Sequence, residues 1–234
     1  MHFNFIEGEV LYFDKSLYWT SFDLVNKVRF LITKIVGKKI KVGHAGTLDP
    51  LATGLVIICT GKKTKEIDTF QDFEKEYIAT VKIGSTTPSF DLETNIDFEY
   101  QTEHINEELI KSVVQSFTGE QEQIPPSFSA KKIDGKRAYL KARQGIDIEI
   151  KPSKIKISYI EVLNFDFPNI TIKIGCSKGT YVRALARDIG LRLNSGAHLV
   201  KLQRTKIGVH NISKAISIDD FENIIKDLHN KSTT

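Results

Sequence analysis

The segment 41–54, KVGHAGTLDPLATG, holds the residues best suited to catalysis. Its only carboxylate, Asp49, stands among three glycines and is followed by Pro50. Glycine and proline at this density indicate a constrained loop, and Pro50 disfavours helical backbone angles at Asp49. A carboxylate on such a loop can act as a nucleophile or as a general base. An Asp-Pro pair is more often only a turn, so these residues alone leave both interpretations open.

A second segment, 131–143, carries six basic residues and the single acid Asp134, with Tyr139 among them. Basic residues interleaved with an aromatic one are typical of a surface that contacts RNA phosphates. A run of charge is more often a solvated surface, and the net charge of +4 is too small to decide. The acidic segment 91–108 is expected to face away from a polyanion.

The composition, with 41% hydrophobic and 26% charged residues, is ordinary for a globular protein of 234 residues. No apolar run approaches the roughly 20 residues that cross a bilayer, and the N-terminus lacks a secretory signal pattern. Cys59 and Cys176 lie in apolar runs that suit buried, reduced thiols. The histidines show no metal-ligand spacing. We therefore expect a cytoplasmic protein with no metal and no membrane partner.

The elements that must position these residues follow from hydrophobic periodicity. Strands are predicted at 9–13, 54–61, 75–83, 155–167, 170–176 and 199–207. Helices are predicted from Ser21, as the N-cap, to about 35, and at 106–117, 180–193 and 218–228. Strands and helices are mixed without regular alternation, which favours an α+β fold in one domain spanning 1–234. The strand that follows segment 41–54 would give Asp49 a rigid support.

Over 43–54 the chain resembles, nearly residue for residue, the signature motif of the tRNA pseudouridine synthase B family. Segments 75–77, 124–143, 176–190 and 202–205 resemble further motifs of that family in the same order. The resemblance covers about residues 8 to 210. It implies a mixed, mostly antiparallel sheet flanked by helices, with an RNA-contacting insertion at about 120–150.

The resemblance implies an isomerase that converts the T-loop uridine at position 55 of tRNA into pseudouridine. The base is flipped out, its bond from N1 to C1′ is broken, and C5 is joined to C1′, without ATP, metal or organic cofactor. Asp49 is implied as the catalytic carboxylate, which attacks C1′ or abstracts a sugar proton. Arg183 is implied as its countercharge, because an unpaired buried carboxylate would take up a proton.

The resemblance also implies the substrate contacts. Tyr77 is expected to stack on the target base, with Tyr181 as a second wall and Leu202 beneath it. His44 is expected to occupy the space that the extruded base leaves. The residues expected to contact the RNA backbone or a neighbouring loop are Lys15, Lys132, Lys136 and Arg137. From residue type alone, each of these side chains would be assigned to ordinary packing or a solvated surface.

The chain departs from the family near its N-terminus, where the pattern Lys-Pro-x-Gly precedes a serine. Ser16 and Tyr18 stand at the proline and glycine positions, which leaves the conformation of this loop open. The chain ends soon after the Leu202 motif, so we expect no separate C-terminal RNA-binding domain. We also expect a monomer that relies on the T-arm of tRNA.

Three alternatives are weighed against this interpretation. A non-catalytic RNA-binding protein is disfavoured because Asp49, Tyr77 and Arg183 occur together. An enzyme that uses a guide RNA on ribosomal targets is the second alternative, and no guide RNA is expected. A phosphate-binding loop is the third, and it lacks the Gly-Lys-Ser/Thr ending.

Overall fold

The computed structural model describes residues 3–128, 132–133, 136–137 and 150–232, with the backbone alone for 132–133, 136–137 and 231–232. The expected RNA contacts of the Lys132, Lys136 and Arg137 side chains therefore lie outside the described residues. The strands are Val10–Lys15 (β1), Val42–His44 (β2), Ala52–Thr60 (β3), Lys75–Ile83 (β4), Ser85–Thr86 (β5), Phe98–Glu99 (β6), Gly119–Gln123 (β7), Lys132–Ile133 (β8), Lys136–Arg137 (β9), Ser153–Asp166 (β10), Asn169–Cys176 (β11), Ala197–Ile207 (β12) and His210–Asn211 (β13). The α-helices are Ser21–Val36 (α1), Ile67–Asp72 (α2), Glu107–Gln115 (α3), Val182–Arg192 (α4) and Ile218–Ser232 (α5), and short 3₁₀ helices span Gly61–Glu66 and Ile212–Lys214.

Helix α1 begins with a capping box. The Thr20 hydroxyl accepts a hydrogen bond from the Asp23 amide (3.0 Å), and the Asp23 carboxylate accepts one from the Thr20 amide (2.9 Å). Ser21, which the sequence suggested as the cap, is instead the first helical residue, because Thr20 supplies the oxygen that the first turn needs. The helix ends at Gly37, whose φ of 72° is the left-handed conformation that glycine adopts without strain.

The residues form two compact units, and the first comprises Met1–Glu76 and Gln203–Thr234. Within it, β3 pairs antiparallel with β1, and β2 pairs antiparallel with β3. Phe13 forms a parallel bridge with Ile216, so the strand pairing is mixed. The side chains of β3 from Leu55 to Cys59 are all fully buried, which makes this strand the core of the unit.

The second unit comprises Tyr77–Leu202. Its strands follow the order β4, β11, β10, β7, and the pairs β10–β11 and β10–β7 are antiparallel. The sequence did not predict β7, whose run Glu120-Gln121-Glu122-Gln123 lacks the apolar residues that mark a buried strand.

The α+β prediction is confirmed, since a mixed, mostly antiparallel sheet is combined with helices. Cys59 and Cys176 are both buried and are not disulfide-bonded, as expected. Among the described residues, no helix has the length and apolar character that crossing a membrane requires.

Candidate active site

Arg204 on β12 binds the loop that carries Asp49. Its guanidinium donates from Nε to the carbonyl oxygen of Leu55 (2.7 Å), from Nη1 to that of Thr47 (3.3 Å) and from Nη2 to that of Gly46 (3.1 Å). The side chain is fully buried, at 1% exposure. Because a guanidinium donates several hydrogen bonds in a fixed plane, one residue fixes both the loop and the start of β3.

Gly54 allows β3 and β12 to come this close. Its φ of 110° is in the region that only glycine adopts readily, and a Cβ atom there would overlap the backbone oxygen of Arg204. The last glycine of segment 41–54 is therefore required by a close backbone approach.

The backbones of the residues on either side of Asp49 are also fixed. The Leu48 amide donates to the Ser21 hydroxyl (2.8 Å), and that hydroxyl lies 3.2 Å from the Leu48 carbonyl oxygen, to which it donates. The carbonyl oxygen of Pro50 accepts a hydrogen bond from the Tyr18 amide (2.8 Å). Asp49 itself is half-buried. These contacts confirm that the loop is constrained, as its glycines and proline predicted.

The backbone at Tyr18 resolves the question raised by the departure from the Lys-Pro-x-Gly pattern. Its φ of 66° lies in the left-handed region that favours glycine. A tyrosine thus occupies the conformation suited to the glycine of that pattern, and the loop still reaches Pro50.

Lys15 provides positive charge within reach of Asp49. It was expected to contact RNA, but the residue is only 1% exposed, and its ammonium donates to the carbonyl oxygens of Ser16 (3.0 Å) and Trp19 (2.6 Å). Burial lowers the pKa of Lys15 to about 8; the negative charge of Asp49 opposes this shift, and the positive charge of Arg204 adds to it. The observed contacts of Lys15 are therefore internal ones, with loop carbonyls and with the charge of Asp49.

His44 ends β2, opposite Ile58 on β3. Its pKa is lowered, first by burial and second by the charge of Arg204, which favours the neutral imidazole. Its Nδ1 atom is buried and has no hydrogen-bond partner among the residues that the structure describes. A neutral, flat ring suits the expected role of His44, and that role stays a prediction.

In the second unit, Arg183 lies in the first turn of α4 and is 4% exposed. Its Nε atom is 3.6 Å from Oδ2 of Asp91, and its Nη atoms donate to the carbonyl oxygens of Ser89 (3.4 Å) and Phe128 (3.1 Å). Arg183 therefore does not lie on a solvated helix face. Its expected pairing with Asp49 stays a prediction.

Asp91 corrects one expectation. The acidic segment 91–108 was expected to face away from a polyanion, yet Asp91 is only 5% exposed and forms an ion pair with Arg183. The buried guanidinium attracts this carboxylate inward, because an unpaired charge there would be costly.

The remaining candidates lie on three different elements of the second unit. Tyr77 is a buried residue of β4, and Leu202 is a half-buried residue of β12. Tyr181 precedes α4, and its backbone exchanges two hydrogen bonds with the Gln123 side chain, at 2.8 and 3.1 Å. Their contacts with a target base stay predictions. Within the described part of the chain, no cluster of His, Cys, Asp or Glu could hold a metal ion.

Sequence reasoning missed the role of Arg204 in the first unit, where it holds the loop, and that of Asp91 in the second unit, where it pairs with Arg183. The signal for Arg204 was available, since it is a charged residue in a strand that also contains Leu199 and Ile207. A buried arginine in such a strand must bind polar groups of the core. Nothing in the sequence around Asp91 distinguishes it from a surface acid.

Comparison with known proteins gives matches over nearly the whole chain. Residues 33–182 match the model of the TruB family pseudouridylate synthase N-terminal domain, and residues 183–233 match that of the tRNA pseudouridylate synthase B C-terminal domain. The chain is 60% identical to tRNA pseudouridine synthase B of Phocaeicola vulgatus over 93% of both chains. It is 54% identical to the protein of that name from Flavobacterium johnsoniae, over 93% of this chain and 96% of the relative.

A solved structure with a similar fold is that of a Cbf5-Nop10-Gar1 complex. The similarity has a TM-score of 0.69 at 26% identity and covers 94% of this chain and 54% of the matched chain. An H/ACA RNP bound to a substrate RNA that contains 2′-deoxyuridine gives a TM-score of 0.67 at 26% identity, with the same coverage. The chain thus spans about half the length of these two structural relatives.

Proposed function

Since this chain belongs to the TruB family of pseudouridylate synthases, we propose that it acts on tRNA and converts the T-loop uridine at position 55 into pseudouridine. The relatives at 54% and 60% identity are named for tRNA, which supports this substrate over the guide-dependent ribosomal targets of the second alternative. The structural relatives occur in multi-component complexes, but they are only 26% identical to this chain and therefore carry less weight than the relatives named for tRNA. The proposed enzyme works as a monomer on the T-arm without a guide RNA.

The observation that carries the proposal is the fixed position of Asp49. Leu48 and Pro50, on either side of it, are hydrogen-bonded to Ser21 and Tyr18, so the backbone that bears the carboxylate is held in place before any substrate binds. Pre-positioning of a reacting group lowers the entropy cost of reaching the transition state. Asp49 then attacks C1′ or removes a sugar proton after the base departs.

The charges near the loop suit this role. A carboxylate in a partly dry site needs a positive charge nearby to stay ionised. Lys15 supplies one from within the first unit, and Arg183 is proposed to supply a second, bidentate partner. The ammonium of Lys15 is held by two carbonyl oxygens, and its charge interacts with that of Asp49.

Flat side chains are proposed to support the extrusion of the target base in two places, the space that the base leaves and the pocket that it enters. Removing a base from its stack costs a few kcal/mol, which another flat group can partly offset. His44, held neutral by its surroundings, fills the vacated space, while Tyr77 stacks on the extruded uracil and Tyr181 and Leu202 complete its pocket.

The test uses purified protein and a T-arm hairpin RNA labelled with tritium at C5 of its uridines. Joining C5 to C1′ releases that tritium, so the wild type is expected to release label from one position without any added RNA. Asp49→Asn is expected to abolish release while it keeps the melting temperature and the RNA affinity. Turnover by Asp49→Asn at the wild-type rate would overturn the assignment of the carboxylate. RNA binding without turnover by the wild type would favour the non-catalytic alternative. A requirement for added guide RNA would favour the guide-dependent enzyme.

A further inference from the structure

Tyr18 combines an unfavourable backbone conformation with a highly exposed ring. Its φ is 66°, and 75% of the residue is exposed. A bulky side chain in the left-handed region costs free energy that glycine would avoid. Among the described residues, no aromatic ring or cation contacts the Tyr18 ring. Packing within the protein therefore gives no reason for a tyrosine at this position.

The location of Tyr18 connects it to the proposed catalytic loop. Its amide donates to the Pro50 carbonyl oxygen (2.8 Å), one residue beyond Asp49. Leu17 and Phe22, which are close to Tyr18 in the sequence, are also exposed, at 43% and 64%. Strained residues that persist beside a reactive group are frequently part of its function.

We propose that Tyr18 is a stacking platform for a nucleobase of the RNA substrate next to the target uridine. This inference rests on the proposed function. Extrusion of the target base unstacks its neighbours in the T-loop, and an exposed aromatic face near the reacting carboxylate can restore one of those stacks. Every base has a π-face, so such a platform fixes the position of the strand without selecting its sequence.

An RNA base fits this surface better than a protein partner does. The exposed ring belongs to the loop that hydrogen-bonds the peptide beyond Asp49, and the substrate must reach that loop for the reaction to occur. A protein bound there would cover the approach to the carboxylate. Tyr18 thus acts as a substrate-positioning residue and takes no part in the bond-breaking steps.

The test compares Tyr18→Gly, Tyr18→Phe and Phe30→Ala on the T-arm hairpin. Tyr18→Gly is expected to raise KM about tenfold, through loss of one base–aromatic stack, with little change in the single-turnover rate at saturating RNA. Tyr18→Phe keeps the aromatic face and is expected to restore KM to within about twofold of the wild type. Phe30 is a matched control, since it is 65% exposed on α1 but has an ordinary helical backbone.

The melting temperature separates the stacking role from a structural one. Glycine adopts a φ of 66° without strain, so Tyr18→Gly is expected to melt at the wild-type temperature or higher while KM rises. A structural role would instead lower the melting temperature and the fraction of active enzyme. That result would overturn the proposal, as would an unchanged KM.

RNA binding can be followed without turnover in an Asp49→Asn background. Trp19 is the only tryptophan and directly follows Tyr18, so its fluorescence reports RNA bound at this surface. Tyr18→Gly is expected to raise Kd about tenfold in this titration. If the wild type proved inactive on the T-arm while Tyr18→Gly still weakened RNA binding, the proposed function would fail and the stacking role would stand. An unchanged Kd would reject the stacking role whatever the turnover.

Discussion

The Nε atom of Arg204 lies 2.7 Å from the carbonyl oxygen of Leu55, and the two residues are 149 positions apart in the chain. This hydrogen bond joins β12 to the start of β3, and the same guanidinium also holds the carbonyl oxygens of Gly46 and Thr47. The geometry of the loop around Asp49 is therefore set by a residue from the far end of the sequence.

Replacing Arg204 with methionine removes the hydrogen-bond donor of these three carbonyl oxygens. Arg204→Met is expected to lower the free energy of unfolding by about 3 kcal/mol, since buried acceptors lose a charged partner. It is also expected to lower turnover more than RNA affinity, because the loop loses its fixed position. Urea unfolding and single-turnover kinetics measure the two effects. The control is Lys201→Met, since Lys201 is an exposed residue of the same strand. Turnover by Arg204→Met at the wild-type rate would contradict the expectation.

The pKa of Lys15 predicts opposite pH trends for activity and stability. In the folded protein this pKa is about 8, below its ordinary value of 10.5. Turnover is expected to fall as the pH rises through about 8, because Lys15 then loses the charge that faces Asp49. Between pH 8 and 10.5 the unfolded chain binds more protons than the folded one, so the contribution of Lys15 to stability rises with pH over that window.

The two trends can be measured on Lys15→Met beside the wild type. The variant is expected to lack the fall in turnover near pH 8 and to have a lower rate below it. Its free energy of unfolding should lose the upward slope above pH 8. A wild-type rate that stays flat from pH 7 to 9 would contradict the role given to the Lys15 charge.

Loss of the ion pair between Arg183 and Asp91 should lower stability and turnover for different reasons, which a second substitution can distinguish. Arg183→Met leaves the Asp91 carboxylate buried without this partner, and it is expected to destabilise the protein by about 3 kcal/mol and to remove most turnover. Adding Asp91→Asn should recover much of the stability, because it removes the isolated charge. It should not recover turnover, since the countercharge proposed for Asp49 is still absent. Recovery of both by the double variant would place Arg183 in a purely structural role.

The sequence predicted local features of the site more accurately than its long-range contacts. The glycines and Pro50 indicated a constrained loop, and hydrophobic periodicity indicated the helix α1, because both depend on neighbouring residues. The burial of Lys15, Asp91 and Arg204 was not predicted, since charged residues lie mostly at the surface. Asp91 and Arg204 are buried against partners far along the chain, and Lys15 is buried against carbonyl oxygens of its own loop. Only folding brings these groups together.

The strand β7 was missed for a related reason. Its polar sequence carries no periodic signal, and it is a strand because β10 offers it a partner. Pairing at an edge of a sheet depends on the neighbouring strand more than on the residues of the strand itself.

The reciprocal contact between Ser21 and Leu48 joins the first residue of α1 to the peptide before Asp49. The amide proton of Leu48 is thereby bound by the first residue of a helix that begins 27 positions earlier in the chain. Its exchange with deuterium should require the start of α1 to open, which makes this single amide a natural reporter of both segments. Fraying of the helix and loss of an ordered carboxylate would then be one cooperative event.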